Sequence, residues 1–126
     1  METTMKRPLT IFLFAIAAAV AFGAGLSAHM KFDKADPAAK AALTAPPGSI
    51  QVWFTEAPDP KISKLDLKGP SGPVKLTGLH VMDKMSLMAL VGDAMPDGAY
   101  TVSWQSAGDD GHVQKGEYTF SVRRPK

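Results

Sequence analysis

The sequence contains no cysteine. That absence excludes disulfide bridges, thiolate metal ligands and a cysteine nucleophile together. Charge of one sign is not in excess either: 14 Lys and Arg against 12 Asp and Glu give a formal net charge of +2. Such a balance makes no electrostatic case for nucleic acid or for an anionic membrane surface as partner. Long apolar runs are almost absent. The one that exists, from Leu9 to Phe22, covers about 14 residues against roughly 20 for a membrane-spanning helix. No internal repeat, low-complexity segment or linker interrupts the remainder.

What is present begins with a leader. Residues 1–28, "METTMKRPLTIFLFAIAAAVAFGAGLSA", join a short basic stretch (Lys6, Arg7) to the apolar run and then to small residues. This is the pattern of a secretory signal peptide. Cutting after Ala28 puts Leu26 at −3, whereas cutting after Gly25 puts glycine at both −1 and −3, which fits the small-residue rule better. The cut after Ala28 is favoured on grounds that come from the other end of the chain. It leaves residues 29–126 as one exported domain, predicted to be periplasmic, with His29 as its first residue. Losing Lys6, Arg7 and Glu2 lowers the net charge from +2 to +1. Without disulfides, an exported domain of that size rests on its core alone.

From residue 48 onward the signals are those of an all-β domain, short alternating runs between Pro and Gly. "SIQVWFTE" sets Ile50, Val52 and Phe54 against Ser49, Gln51, Trp53 and Thr55. "KISKLDLKG" carries Ile62, Leu65 and Leu67, and "PVKLTGL" and "SLMALVG" are two further runs. "GAYTVSWQSA" puts Tyr100, Val102 and Trp104 on one face, and "GEYTFSVRR" does the same with Tyr118, Phe120 and Val122. Period-two alternation gives each strand one buried and one wet face. "HMKFDKADPA" reads as an opening strand ended by Pro37, and "AAKAALTAPPG" has room for a turn of helix before Pro46-Pro47-Gly48. About seven strands in such a length predict an immunoglobulin-like β-sandwich, with Tyr100 after Asp97-Gly98 placed as a tyrosine corner would be.

The stretch "SAGDDGHVQKGEY", residues 106–118, carries the chemistry. Asp110 and His112 are two apart, so in extended backbone their side chains leave one face. Asp-Gly is equally a hairpin signal, and a solvated turn is the alternative reading. Taken with "ADPAAKAALTAPPGSIQVWFTEAP", "MPDGAYTVSWQSAGDDGH", the terminal "GEYTFSV" and a histidine at the predicted mature start, the chain resembles the CopC family of exported copper-binding proteins across essentially all of residues 29–126. The resemblance implies a Greek-key β-sandwich. It also implies a Cu(II) site made by the amine and imidazole of His29 with Asp110 and His112, and an inner-membrane CopD-type copper transporter as partner. Nitrogen and oxygen donors of this kind suit Cu(II) in a tetragonal plane, and Zn(II) could take similar donors.

Some relatives also hold Cu(I) in a methionine-rich loop. "LHVMDKMSLMALVGDAM" offers His80, Met82 and Met85 for such a weaker Cu(I) site, at a spacing that departs from that loop. There, Met88 reads as core filler and Met95 as packing. Glu56 reads as a surface or hydrogen-bonding group, Trp104 as core and Trp53 as outward-facing. The function expected is capture, buffering or delivery of copper in homeostasis or resistance, with no enzymatic step. Two other functions compete. A copper monooxygenase would use two histidines as a brace, but the chain is short for a flat substrate surface and Asp110 would occupy a position that oxygen needs. A metal-free interaction domain follows if the leader is cut elsewhere.

Overall fold

The computed structural model describes residues 29–126; the expected leader, 1–28, lies outside them. Nine strands follow in order: β1 (Phe32–Asp36), β2 (Ala42–Leu43), β3 (Ser49–Phe54), β4 (Lys64–Gly69), β5 (Gly72–Val74), β6 (Leu76–Met82), β7 (Ser86–Val91), β8 (Gly98–Ser106) and β9 (Gln114–Val122). They form two sheets, β1-β3-β7-β6 and β2-β9-β8-β4-β5. The first has the strand order of the ABED sheet of an immunoglobulin domain, and β9-β8-β4 has that of its CFG sheet. The expected all-β sandwich is therefore the fold, and no helix occurs among the described residues.

The alternation seen in the sequence is what closes the two sheets on each other. Ile50, Val52 and Phe54 of β3 and Leu87 and Ala89 of β7 bury from one side. Leu65 and Leu67 of β4, Tyr100, Val102 and Trp104 of β8, and Tyr118, Phe120 and Val122 of β9 bury from the other. Aromatic rings carry much of the contact. Tyr100 stacks on Phe120 with centroids 5.4 Å apart, and Phe54 meets Trp104 edge-on at 5.1 Å. Each such pair is worth about 0.5–1.5 kcal/mol beyond its buried area. The Tyr100 hydroxyl donates to the Pro96 carbonyl four residues upstream, the tyrosine corner that the sequence predicts. Met95 is buried in the core as expected, and Trp53 stays near the surface with the Lys34 ammonium 5.0 Å from its ring centre.

Four details differ from the sequence reading. The stretch with room for a helical turn instead holds β2, a two-residue strand that runs parallel to the end of β9. The run 73–79 is two strands, because the chain crosses from one sheet to the other at Lys75. There the Lys75 amide donates to the Asp93 carboxylate at 2.8 Å and its carbonyl accepts from Gly92 at 2.8 Å. These two changes raise the strand count from about seven to nine. Ile62 precedes β4 rather than joining it. The Asp59 carboxylate takes the Lys61 amide and the Asp59 carbonyl takes the amides of Ile62 and Ser63, which holds the segment in a turn. Finally, Met88 is half-buried and outside the core. On β7 its neighbours Leu87 and Ala89 face inward, so Met88 faces out.

One end of the sandwich gathers several segments. Phe32 at the start of β1 pairs with Phe54 at the end of β3, whose amide donates to the Met85 carbonyl in the β6–β7 turn. The β3–β4 connection reaches the β8–β9 loop there through the Asp59 amide and the Ala107 carbonyl, 2.9 Å apart.

Candidate metal centre

Two segments meet at that end, and each is fixed by its own anchors. His29 precedes Met30, which is 1% exposed and part of the core. The next residue is clasped twice: the Lys31 amide donates to the Thr55 hydroxyl and the Thr55 amide donates to the Lys31 carbonyl, both at 2.9 Å. A buried side chain and a paired backbone on either side of one peptide leave His29 little freedom of position.

The second segment is the β8–β9 loop. Ala107 and Gly108 are buried, and Gly108 lies so close to the β3–β4 connection that an added Cβ would stand 2.6 Å from the Glu56 carboxylate and 3.3 Å from Met30. Only glycine lets the loop approach that far. A turn follows, with the Gly111 amide bonded to the Gly108 carbonyl at 3.1 Å and Gly111 at φ +73, in the left-handed region that glycine occupies without penalty. Asp110 Oδ1 then accepts the His112 amide at 3.0 Å, an Asx turn that aims the carboxylate back across the loop.

The outcome is a convergence of the three expected residues. His29 Nδ1 lies 2.6 Å and His112 Nδ1 3.3 Å from Asp110 Oδ2. The imidazoles stand edge to face with ring centres 4.9 Å apart. One donor atom from each residue falls within 4.8 Å of the others. The backbone bond from His112, and then the side-chain bond from His29, hold the Asp110 carboxyl down to about 2. It is therefore ionised at any ordinary pH and can only accept. Each imidazole contact to it consequently uses a protonated Nδ1. A cation between them would replace those two protons at a point where one full negative charge and two ring nitrogens already face each other. The side chains of His29 and His112 remain 48% and 69% exposed, so such an ion could enter and leave without the core opening.

His80, Met82 and Met85 are not part of this cluster. His80 and Met82 stand at the end of β6 and Met85 in the turn before β7, all exposed. Glu56 is half-buried against Gly108 and lies outside the three-residue cluster. Sequence reasoning missed Met30, Thr55 and Gly108 as supports. Met30 alternates with Phe32 and Gly108 sits just after a strong strand, but neither pattern names a partner.

Comparison with known proteins gives a consistent result. Residues 32–123 match the family model described as the CopC domain. The protein YobA of Escherichia coli K12 is 34% identical over 102 residues, covering 76% of this chain and 80% of that protein. Copper resistance protein C of Escherichia coli is 33% identical over 113 residues, with 82% and 87% coverage. Among solved structures, the methionine-rich copper resistance protein PcoC from Escherichia coli aligns with TM-score 0.69 at 30% identity, covering 76% of this chain and all of that one. CopC from Methylosinus trichosporium OB3b aligns with TM-score 0.67 at 25% identity, covering 78% and 97%.

Proposed function

The chain belongs to the CopC family, and from that membership we propose that it is an exported copper-binding protein of copper resistance or homeostasis, which captures Cu(II), buffers it and hands it on. The observation that carries this reading is the convergence of His29 Nδ1, Asp110 Oδ2 and His112 Nδ1 on one small volume at an exposed end of the sandwich. Two relatives, both copper resistance proteins, support the cargo.

Under this reading a signal peptidase removes residues 1–28 in the periplasm and frees the backbone nitrogen of His29. That nitrogen and Nδ1 of the same residue lie at the right covalent separation to close a six-membered ring on one metal ion. Asp110 adds an oxygen and a charge, and His112 a third nitrogen, a set that matches the preference of Cu(II) for N and O donors. The role is binding, not catalysis, and the receiver suggested by the family resemblance is a CopD-type transporter in the inner membrane. Protons are the chief competitor. A free α-amine ordinarily titrates near about 7.7–8.0 and an imidazole near about 6.5, so the site fills at pH 7 and empties towards about pH 5.

Two measurements test the reading. The intact mass of the protein recovered from its native compartment must equal residues 29–126. Cu(II) titration of that protein must also show much tighter binding than a form carrying one extra residue before His29. A mature chain that begins elsewhere, or equal affinity in both forms, overturns it.

A further inference from the structure

Two peptide bonds in this chain join aspartate to glycine, Asp97–Gly98 and Asp110–Gly111, and the chain contains no asparagine. At such a step a protein can modify itself, because no Cβ shields the glycine nitrogen from the aspartate side chain before it. Bulkier followers crowd that approach, and at Asp36–Pro37 and Asp59–Pro60 the following nitrogen carries no hydrogen at all. The reaction needs only water. The glycine nitrogen bonds to the aspartate Cγ, a Cγ–O bond breaks, and that oxygen leaves as water with the amide proton and one proton from solvent. Water then adds to the five-membered imide. Where it cleaves the former backbone carbonyl from nitrogen, the chain is left running through Cγ, as isoaspartate.

The fold treats the two steps differently. Gly98 opens β8 opposite Val122 of β9, with the Pro70 side chain packed where a Cβ would stand. The Asp97 carboxylate is held at Oδ1 by the Arg124 amide at 3.2 Å and by its guanidinium at 2.7 Å. Closing an imide there requires the end of the ladder and the tyrosine corner to open. Gly111 instead stands in the β8–β9 loop, exposed, with nothing within 4 Å of the position a Cβ would take. Four contacts oppose closure at this second step. The Gly111 amide donates to the Gly108 carbonyl, and the Asp110 carboxylate accepts from the His112 amide, from the His112 ring and from His29 Nδ1. The first three lie within the loop and move with it. His29, 81 positions away, is the one tie from outside.

We propose that Asp110–Gly111 is a site of spontaneous isomerisation to isoaspartate, and that the contact from His29 is what restrains it. The product adds one methylene to the backbone of the loop and moves the carboxylate, so an isomerised chain no longer presents His29, Asp110 and His112 together. Whatever keeps His29 on Asp110 therefore preserves the cluster chemically as well as geometrically. The inference needs neither a free amine at His29 nor copper binding, and it is read in metal-free protein.

The test keeps the purified, metal-free protein at neutral pH for weeks and digests samples with trypsin. Cleavage at Lys84 and Lys115 releases both Asp-Gly steps in one peptide, 85–115, so they are compared in the same spectrum. Electron-transfer fragmentation breaks the Cα–Cβ bond of isoaspartate and so places it at one step or the other. Isoaspartate should accumulate at Asp110, and at Asp97 on the order of tenfold more slowly, since a paired strand opens more rarely than a loop. His29→Ala removes an exposed side chain and nothing from the core; it should speed the reaction at Asp110 by about threefold or more, a modest factor because the pair is partly exposed. Asp110→Glu keeps a carboxylate but needs a six-membered ring, and should abolish the product there. No isoaspartate at Asp110, equal rates at the two steps, or an H29A rate equal to the parent's overturns the proposal.

Discussion

Gly108→Ala is the most informative single change near the candidate metal centre, because it touches no candidate donor atom. The new Cβ would stand 2.6 Å from Glu56 Oε1, 3.2 Å from its Cδ and 3.3 Å from the Met30 Cβ. Ordinary contact begins near 3.4 Å, so either the carboxylate or the loop must retreat by most of an ångström. Glu56 is half-buried with a flexible tip and can turn aside, at about 0.5–1.5 kcal/mol if it leaves its rotamer well. Met30 is buried in the core and cannot, but its contact is close to ordinary, so what the loop yields it yields chiefly to Glu56. Overpacking of this kind costs about 1–3 kcal/mol in total. Because Asp110 is two residues away, a loop displaced by a few tenths of an ångström opens the 2.6 Å approach to His29. We expect urea denaturation to report a loss of about 1–2 kcal/mol, and competition titration a Cu(II) affinity lower by about tenfold, equivalent to about 1.4 kcal/mol. Glu56→Ala alone should change either quantity little, and the double variant should recover most of the loss, a coupling that only groups in contact produce. If G108A equals the parent in both assays, or if removing Glu56 rescues nothing, the close approach is not what positions the loop.

The Asp110 carboxyl is held from its ordinary value of 3.8 down to about 2 by the His112 backbone bond and then the His29 side chain. A depressed folded value stabilises the protein above the unfolded one, so that stability should be lost as pH falls from about 4 to about 2. Thermal midpoints across this window should fall less steeply in Asp110→Asn, and an unchanged slope refutes the assignment. Tyr100→Phe removes the hydroxyl that donates to the Pro96 carbonyl and should cost about 1–2 kcal/mol in denaturant unfolding; a loss below a few tenths would mean the corner is ornamental. Copper-loaded protein with ascorbate should form peroxide no faster than a comparable copper chelate, and rapid turnover or polysaccharide cleavage would favour the monooxygenase function instead.

The strands legible in the sequence are those whose two faces differ in polarity. β3, β8 and β9 alternate cleanly, and their inward residues follow from that alternation. β7 was harder because Leu87, Met88, Ala89 and Leu90 are all apolar. The face of Met88 is set by the register with β3 and β6, which no local pattern contains. β2 is too short to leave a period, and the crossing at Lys75 depends on Asp93, 18 residues later. At the candidate metal centre, the two-residue spacing of Asp110 and His112 is visible locally. Their meeting with His29 spans 81 positions and was suggested by family resemblance rather than by periodicity. The supports Met30, Thr55 and Gly108 act through contacts across the sandwich and so left no signature.

His29 leads into the four-stranded sheet, whereas Asp110 and His112 hang from the five-stranded one. An ion held by all three therefore rivets the two layers together at one end, in a protein that has no disulfide to do so. Cargo and architecture are then a single equilibrium. Metal at a hundredfold excess over its dissociation constant would add about 2.7 kcal/mol to the stability of the whole domain, and anything that pries the layers apart at that end would loosen its grip on the metal to the same extent.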